Sequence, residues 1–556
     1  GVAQWIWKSR FVNEPPGGFT DAVQSTLSVG YPTPLLREIL LAKAQGAEMD
    51  LLAQANPQLV AGHGTVTVEL ANTRLINLSE AISRLLHYPY GCAEQTGSSL
   101  LPWIVLQGQS QWRPLLCGGT NDPQKAIRAG VARLFSMQTQ SGGLGYWPKD
   151  REPMFWASAY GGLVLALAQR HGVELPKEDF DRLLSFLSSQ LRSNSSSVSS
   201  ADDFCLAAYA LALAGRAEPA YHEKLFGQRE QLSPEGRELL ALAINEGKGP
   251  REMVNALLTA PVAGAKANEA LFGGPARQKA IKLLAFVCAR PDDAGIDALV
   301  TDLMKEQEAG QWTTTQGNAW ATLALSEYGR RIEGTLEPCE GELRWGQETI
   351  PFHLEGTNNI FTRTLPLDPG TARPALKLVR ATGTAFASTT LAVRPQVAHQ
   401  PRQDQGFHLQ RRYQRLNDDN QIEEARNLRV GDRVLVILHL EVRQPARFVA
   451  VDDPLPANLE AIHPEFKTHQ TRGAASAAAS GFDAGEEWQS DFQEIRTERV
   501  LFFANDLAPG NYLLRYLARV RAAATASAPA AKVEEMYHPN RYRLTETQVF
   551  SSQSME

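Results

Sequence analysis

The segment YGGLVLALAQRHG, residues 160–172, has two echoes in the same chain, FCLAAYALALAG at 204–215 and NAWATLALSEYG at 318–329. Each puts small residues on one helical face and leucines on the other, and each stops at a glycine suited to a left-handed cap. Between them lie more polar helical patterns, such as residues 124–140 with Ile127, Val131, Leu134 and Phe135 on one face. Inner helices alternating with outer ones predict an α/α toroid. The helical texture spans residues 76–334.

On either side the periodicity changes. Residues 24–29 and 64–70 (GTVTVEL) alternate like strands, with one helical pattern expected around 35–52. Strand patterns resume over 341–398, and a Gln/Arg/Pro-rich stretch at 396–405 reads as a linker. Beyond it an antiparallel β-sandwich is expected, with strands at 433–442 and 448–452 and a hairpin from Arg499 turning at 505–510. The Ala/Ser-rich pieces 474–480 and 522–531 are expected to be surface loops.

With 556 residues the chain exceeds what one core can serve, so several domains are expected. A net charge of −6 without any long basic run argues against a nucleic-acid partner. No apolar stretch reaches the roughly 18–20 residues that span a bilayer. The five cysteines, Cys92, Cys117, Cys205, Cys288 and Cys339, form no CxxC or metal-like cluster, so neither a disulfide scaffold nor a metal site is expected. Cys117, Cys205 and Cys288 read as small buried hydrophobes in helices. No cofactor is implied.

One string carries chemistry: HYPYGCAEQTGSSL, residues 87–100. Cys92 and Gln95 stand one helical turn apart, where a thiol and a carboxamide can meet. If sulfur displaces ammonia from Gln95, an internal thioester results, a latent acylating agent for amines and water. Pro89 and Gly91 bend and loosen the backbone just before it. A bare C-x-x-Q also fits a buried Cys beside a solvated Gln. The whole string, however, resembles the thioester motif of the alpha-2-macroglobulin and complement family. GGLGYWP at 142–148 and TTTQGNAWATLALSEYG at 313–329 are similar to that family's helical hairpins. VGDRVLVILHLEV at 430–442, VAVDDPLPANLEA at 449–461, ERVLFFANDLAPGNYLLRY at 498–516 and EEMYHPNRYR at 534–543 resemble the terminal macroglobulin (receptor-binding-like) domain of its bacterial branch.

The resemblance implies a helical thioester domain, 76–334, inserted into a β-rich CUB domain made of 21–75 and 335–398. A macroglobulin domain follows at 399–556, and 1–20 closes a preceding segment. It implies a broad-spectrum protease inhibitor, not an enzyme, that couples covalently to trapped proteases through a Cys92–Gln95 thioester attacked by lysine amines. Tyr88 or Tyr90, with the Met536-Tyr537 pair, would shield the bond from water. Earlier domains and the bait region are expected upstream. Bacterial relatives imply a periplasmic location, an inner-membrane lipid anchor in that upstream part, a role in bacterial defence and, by analogy, a peptidoglycan synthase as partner. The Ser-rich loop at 193–203 lacks the histidine by which complement members reach hydroxyls, so direct reaction with amines is expected. Three rivals stand beside this reading. An α/α-barrel enzyme would use Asp202-Asp203 or Asp292-Asp293, which also read as helix caps. A thiolate enzyme would pair Cys92 with His87. A scaffold module would carry a vestigial motif.

Overall fold

A computed structural model of the chain describes residues 2–10, 20–28, 35–44, 48–107, 122–193, 200–259, 272–308, 310–333, 337–356, 359–367, 376–380, 382–394, 402–417, 419, 421–463, 486–487 and 490–554. It divides into two compact units, 37–392 and 1–36 with 393–556.

The helical block of the first unit comprises α1 Ser79–Leu86, α2 Ala93–Val105, α3 Pro123–Phe135, α4 Phe155–Arg170, α5 Lys177–Arg192, α6 Ala201–Leu213, α7 Pro219–Gly227, α8 Pro234–Glu246, α9 Arg251–Thr259, α10 Pro275–Ala289, α11 Ile296–Met304 and α12 Thr315–Arg331. Among the described residues the even-numbered helices pack in sequence, and α12 returns to α2, closing a ring that the odd-numbered helices surround. This is the toroid expected from the repeats. The inner helices are buried nearly all round, which is why their sequences are Ala- and Leu-rich rather than amphipathic. Glycine permits close approach to them: a Cβ on Gly97 would lie 3.1 Å from Tyr160 Cε1 of the neighbouring inner helix, and one on Gly161 2.5 Å from Leu144 Cδ1 of the loop before α4.

Two of the three repeat glycines end as expected, Gly172 at φ +81° and Gly215 at φ +74°. Gly329 does not, because α12 continues to Arg331. Its role is contact instead, since a Cβ there would meet Leu75 Cδ1 at 2.6 Å. The last helix of the ring thus touches the chain where it first enters the helical block. Thr73 adds a hydroxyl bond to the Glu333 carboxylate at 2.8 Å.

Strands flank the insertion: β1 Val2–Arg10, β2 Thr20–Ser28, β3 Leu36–Ala44, β4 Glu48–Asp50 and β5 His63–Ala71 before it. After it come β6 Cys339–Trp345, β7 Glu348–Leu354, β8 Ile360–Leu367, β9 Leu376–Arg380 and β10 Ala385–Arg394. Strands from both sides share two four-stranded sheets, β3-β10-β5-β8 and β4-β9-β6-β7. The helical pattern expected at 35–52 is therefore wrong. LREILLAKA carries strong helix formers, but pairing with β10 supplies backbone partners and burial that outweigh local propensity. The strand expected at 24–29 runs over Thr20–Ser28, and it pairs along its whole length with β1.

The second unit is a β-sandwich. Its strands are β11 Gln403–Gln405, β12 Phe407–Leu416, β13 Ile422–Glu424, β14 Arg433–Val442, β15 Ala446–Pro454, β16 Leu459–Ala461, β17 Glu486–Glu487 and β18 Phe492–Ile495. They continue with β19 Arg499–Leu507, β20 Gly510–Val520, β21 Thr525–Ala528, β22 Lys532–Glu535, β23 His538–Leu544 and β24 Gln548–Ser551. The sheets run β11-β23-β22-β15-β19-β18 and β13-β12-β14-β20-β16. The hairpin expected from Arg499 is not formed: β19 and β20 lie in opposite sheets, with Val500, Phe502 and Ala504 facing the same core as Leu514, Tyr516 and Ala518. Alternation alone does not distinguish a hairpin from such an arch. The 522–531 piece is also no simple loop, because β21 pairs with β24 and Ala528 and Ala531 are fully buried. Residues 474–480 lie outside the described residues. A buried ion pair, Arg411 with Asp453 at 2.7 Å, crosses the sandwich core, and Tyr516 donates to the same carboxylate at 2.7 Å.

Candidate functional site: a buried Cys–Gln pair at a helix start

The chain reaches α2 through Pro89 and Gly91, whose carbonyl accepts two bonds from Arg133 of α3, at 3.3 and 3.1 Å. Cys92 then takes extended backbone angles, φ −71° and ψ 175°, and caps the helix. The Gln95 N–H donates to Cys92 Sγ at 3.5 Å, while Gln95 Oε1 accepts from the Cys92 N–H at 3.3 Å. This is a reciprocal capping box built with a thiol and a carboxamide. The two groups are the precursors of a thioester, and both side chains have 0% exposure. The bond accepted by Oε1 also aims a backbone donor at the carbonyl that sulfur would attack.

Around this pair the packing is aromatic and polar by turns. The Ala93 N–H donates to the carbonyl of the buried Tyr146 at 2.9 Å. Glu94 is wholly buried, and its carboxylate accepts from Ser98 at 2.6 Å, Gln316 at 2.7 Å and Thr315 at 2.8 Å. Ser98 also shares a 2.9 Å bond with the Tyr160 hydroxyl. Helices α2, α4 and α12 are thereby fastened where the Cys92–Gln95 pair sits. Burial pushes the Cys92 thiol up to about 12, with the Glu94 charge acting in the same direction. Hydrogen bonds from Tyr146 and from the Gln95 and Glu94 backbone offset only part of this. Such a sulfur is a neutral thiol near pH 7, which counts against the thiolate-enzyme reading. His87, its expected base, is exposed and its Nδ1 bonds the Ser83 carbonyl of its own helix at 2.8 Å.

Of the expected shields, Tyr90 is buried and Tyr88 half-buried, their rings edge to face at 5.6 Å. Met536 and Tyr537 belong to the sandwich unit, at the turn between β22 and β23. Both are buried; the Met536 N–H donates to the Phe448 carbonyl at 3.0 Å, and Tyr537 meets Phe448 edge-on at 5.4 Å. Most of the loop expected to govern amine preference, 194–199, lies outside the described residues, as does Cys117. The acid pairs of the rival enzyme reading are used structurally. Asp203 forms a capping box with Ser200, Asp202 accepts from the Ser233 N–H, and Asp293 accepts from the Gly295 N–H. Sequence reasoning did not single out Tyr146, Glu94, Arg133, Thr315 or Gln316. Two of the stretches it quoted contain Tyr146, Thr315 and Gln316, but contacts across 42 to 222 residues leave no periodic trace.

Comparison with known proteins agrees with this arrangement. The family described as "A-macroglobulin TED domain" matches residues 65–204, and "Bacterial Alpha-2-macroglobulin MG10 domain" matches 406–540. An alpha-2-macroglobulin homolog from a Nostoc species is 23% identical over 97% of this chain and 29% of its own length. Alpha-2-macroglobulin from Escherichia coli K12 is 25% identical over 84% of this chain and 28% of its own. The crystal structure of Salmonella alpha-2-macroglobulin reacted with methylamine superposes with a TM-score of 0.79 at 21% identity, covering all of this chain and 36% of that one. A helical TED domain and a β-sheet macroglobulin domain in one chain define the macroglobulin class. Through these two domains the chain resembles the alpha-2-macroglobulins of bacteria. It spans less than a third of the length of the curated relatives it matches.

Proposed function

We propose that this chain carries the covalent coupling step of a protease-trapping inhibitor. Cys92 Sγ displaces ammonia from the Gln95 carboxamide to give a thioester. A lysine Nζ of the captured protease later attacks the same carbon; the C–S bond breaks, an amide forms, and the proton lost by nitrogen ends on sulfur. The observation that carries this reading is the reciprocal, fully buried contact of Cys92 with Gln95 at the start of α2. That a Salmonella relative is described as reacted with methylamine supports it. Free lysine is mostly protonated at neutral pH, with a pKa of about 10.4, so the reaction relies on the effective concentration of a held protein rather than on a pocket. Methylamine should add its mass at Gln95 and free one thiol, and Cys92→Ala in the complete protein should abolish conjugates. Conjugates that persist in that variant would refute the assignment.

The finer expectations belong to the same proposal. The two four-stranded sheets serve as the CUB domain, and Met536 and Tyr537 cover the thioester in the untriggered protein. Amines are preferred to hydroxyls, which comparison of methylamine with glycerol incorporation tests. A periplasmic, inner-membrane-anchored location rests on the resemblance alone and is tested by cell fractionation. The peptidoglycan synthase has no support among these relatives.

A further inference from the structure

Negative charge gathers on Gln95 Oε1 whenever the side-chain carbon of Gln95 is attacked, by sulfur as a thioester forms or by an amine as it opens. The Cys92 N–H donates to this oxygen at 3.3 Å. That N–H belongs to the same peptide group as the Gly91 carbonyl. The carbonyl accepts two bonds from one guanidinium, from Arg133 Nε at 3.3 Å and from Nη2 at 3.1 Å. A chain of hydrogen bonds therefore runs from a fixed positive charge, through one planar peptide, to the reacting oxygen.

Helix packing brings Arg133 to this position. Gly130 lets α3 press against α2, since a Cβ there would lie 2.4 Å from Leu100 Cδ2. Arg133 stands one turn further along α3 on the same face, and so arrives at the entry to α2. An ideal Cβ on Gly91 would sit 3.6 Å from Nη2, so the guanidinium lies close against the backbone. Among the described residues no carboxylate pairs with Arg133; its printed partners are the two contacts to Gly91. A cation bonded twice to a peptide oxygen draws electron density toward that oxygen and makes the N–H across the peptide a stronger donor. The same grip fixes the plane of the Gly91–Cys92 peptide, and with it the direction in which the Cys92 N–H points.

We propose that Arg133 is a positioning residue for the thioester chemistry, holding and polarising the Gly91–Cys92 peptide so that the Cys92 N–H stabilises the oxyanion at Gln95 Oε1. The proposal rests on the thioester reading above. On opening, the amine nitrogen bonds the Gln95 carbon and the carbonyl π electrons move to Oε1. They return as the C–S bond breaks, and the proton lost by nitrogen ends on sulfur. Arg133 exchanges no proton. Hydrolysis passes through the same oxyanion, so Arg133 speeds attack by water as well as by amines. A purely structural role predicts the reverse for water, because loosening the entry to α2 would expose the bond.

The experiment compares the complete protein with its Arg133→Gln and Arg133→Lys variants, each verified as folded by thermal melting. Thiol release and mass gain are followed with methylamine, and thiol release in buffer alone. Arg133→Gln removes the charge and should slow both reactions about fivefold, a fraction of what losing an oxyanion donor outright costs. Arg133→Lys keeps the charge and should recover most of the rate. A variant isolated with a free Cys92 thiol and an intact Gln95 carboxamide never formed the bond, which supports the proposal, since formation needs the same oxyanion. A free thiol with Gln95 hydrolysed to the acid is leakage and overturns it. Arg133→Gln reacting as fast as the parent, or releasing its thiol faster in buffer, overturns it too, as does Arg133→Lys reacting as slowly as Arg133→Gln. If the parent itself neither gains the amine's mass nor frees a thiol, the thioester reading falls, and this proposal with it.

Discussion

The contact of Cys92 with Gln95 was legible from sequence because it is local. A thiol and a carboxamide one turn apart at a helix start need no tertiary information to meet. Their support is not local, and this separates what the sequence showed from what it concealed. Glu94 alone reads as an ordinary first-turn acid; its partners lie more than 200 residues away, at Thr315 and Gln316. The proposed shield makes a prediction at the same scale. Tyr88→Ala or Met536→Ala should fold normally yet release a free Cys92 thiol spontaneously in buffer, followed with a thiol reagent over time. Variants that keep the thiol masked as long as the parent does would move the shield to Tyr90 and Tyr146, which are the more deeply buried aromatics beside the pair.

Elements differ in how far local pattern decides them. The inner helices were found because small residues and leucines repeat where helices must pack closely. LREILLAKA at 36–44 misled because its helix-forming residues are overruled by pairing with β10, a strand more than 300 residues further along the chain. Strand β5, from the same sheet, carries a titrating group. Burial pushes Glu69 up to about 7 from an ordinary 4.5, with Glu80 adding to the effect and a Ser79 hydrogen bond opposing it. The folded state then holds a proton that the unfolded chain releases, so stability should fall as pH rises from about 4.5 to 7 and level off above. Glu69→Gln should remove that slope and raise the melting temperature at pH 8 relative to the parent, measured by thermal melts between pH 5 and 8. An unchanged slope in the variant would assign the pH dependence to other groups.

At the scale of the whole molecule, the helical ring is an insertion whose two ends meet. Leu75 touches Gly329, and Thr73 bonds Glu333, so the host sheets need bridge only a short gap. Insertions with adjacent ends are compatible with independent folding of the inserted part. A segment of residues 73–333 expressed alone should therefore be strongly helical by circular dichroism and melt cooperatively. A chain that is helical but melts without a transition would show that the ring needs its sheets. The β-sandwich was legible as a class but not in its connections, since β19 and β20 share alternation with any hairpin and only the common core places them in opposite sheets.

The ring also has a direction. Glu94, Asp202, Glu235 and Thr315 mark the starts of α2, α6, α8 and α12, whereas Arg170, Glu246, Cys288 and Arg331 line a cavity at the opposite ends of α4, α8, α10 and α12. Parallel helices add their macrodipoles, about half a positive charge at each N-terminus, so the rim that holds Cys92 carries an electrostatic potential favourable to a departing thiolate. The buried acids at that rim oppose it, Glu94 most directly. Neutralising that carboxylate should unmask the field: Glu94→Gln should quicken methylamine-driven thiol release, followed with a thiol reagent. A quickened release would show that the helix field and the buried acid are balanced against each other at this rim, a balance that a single side chain shifts.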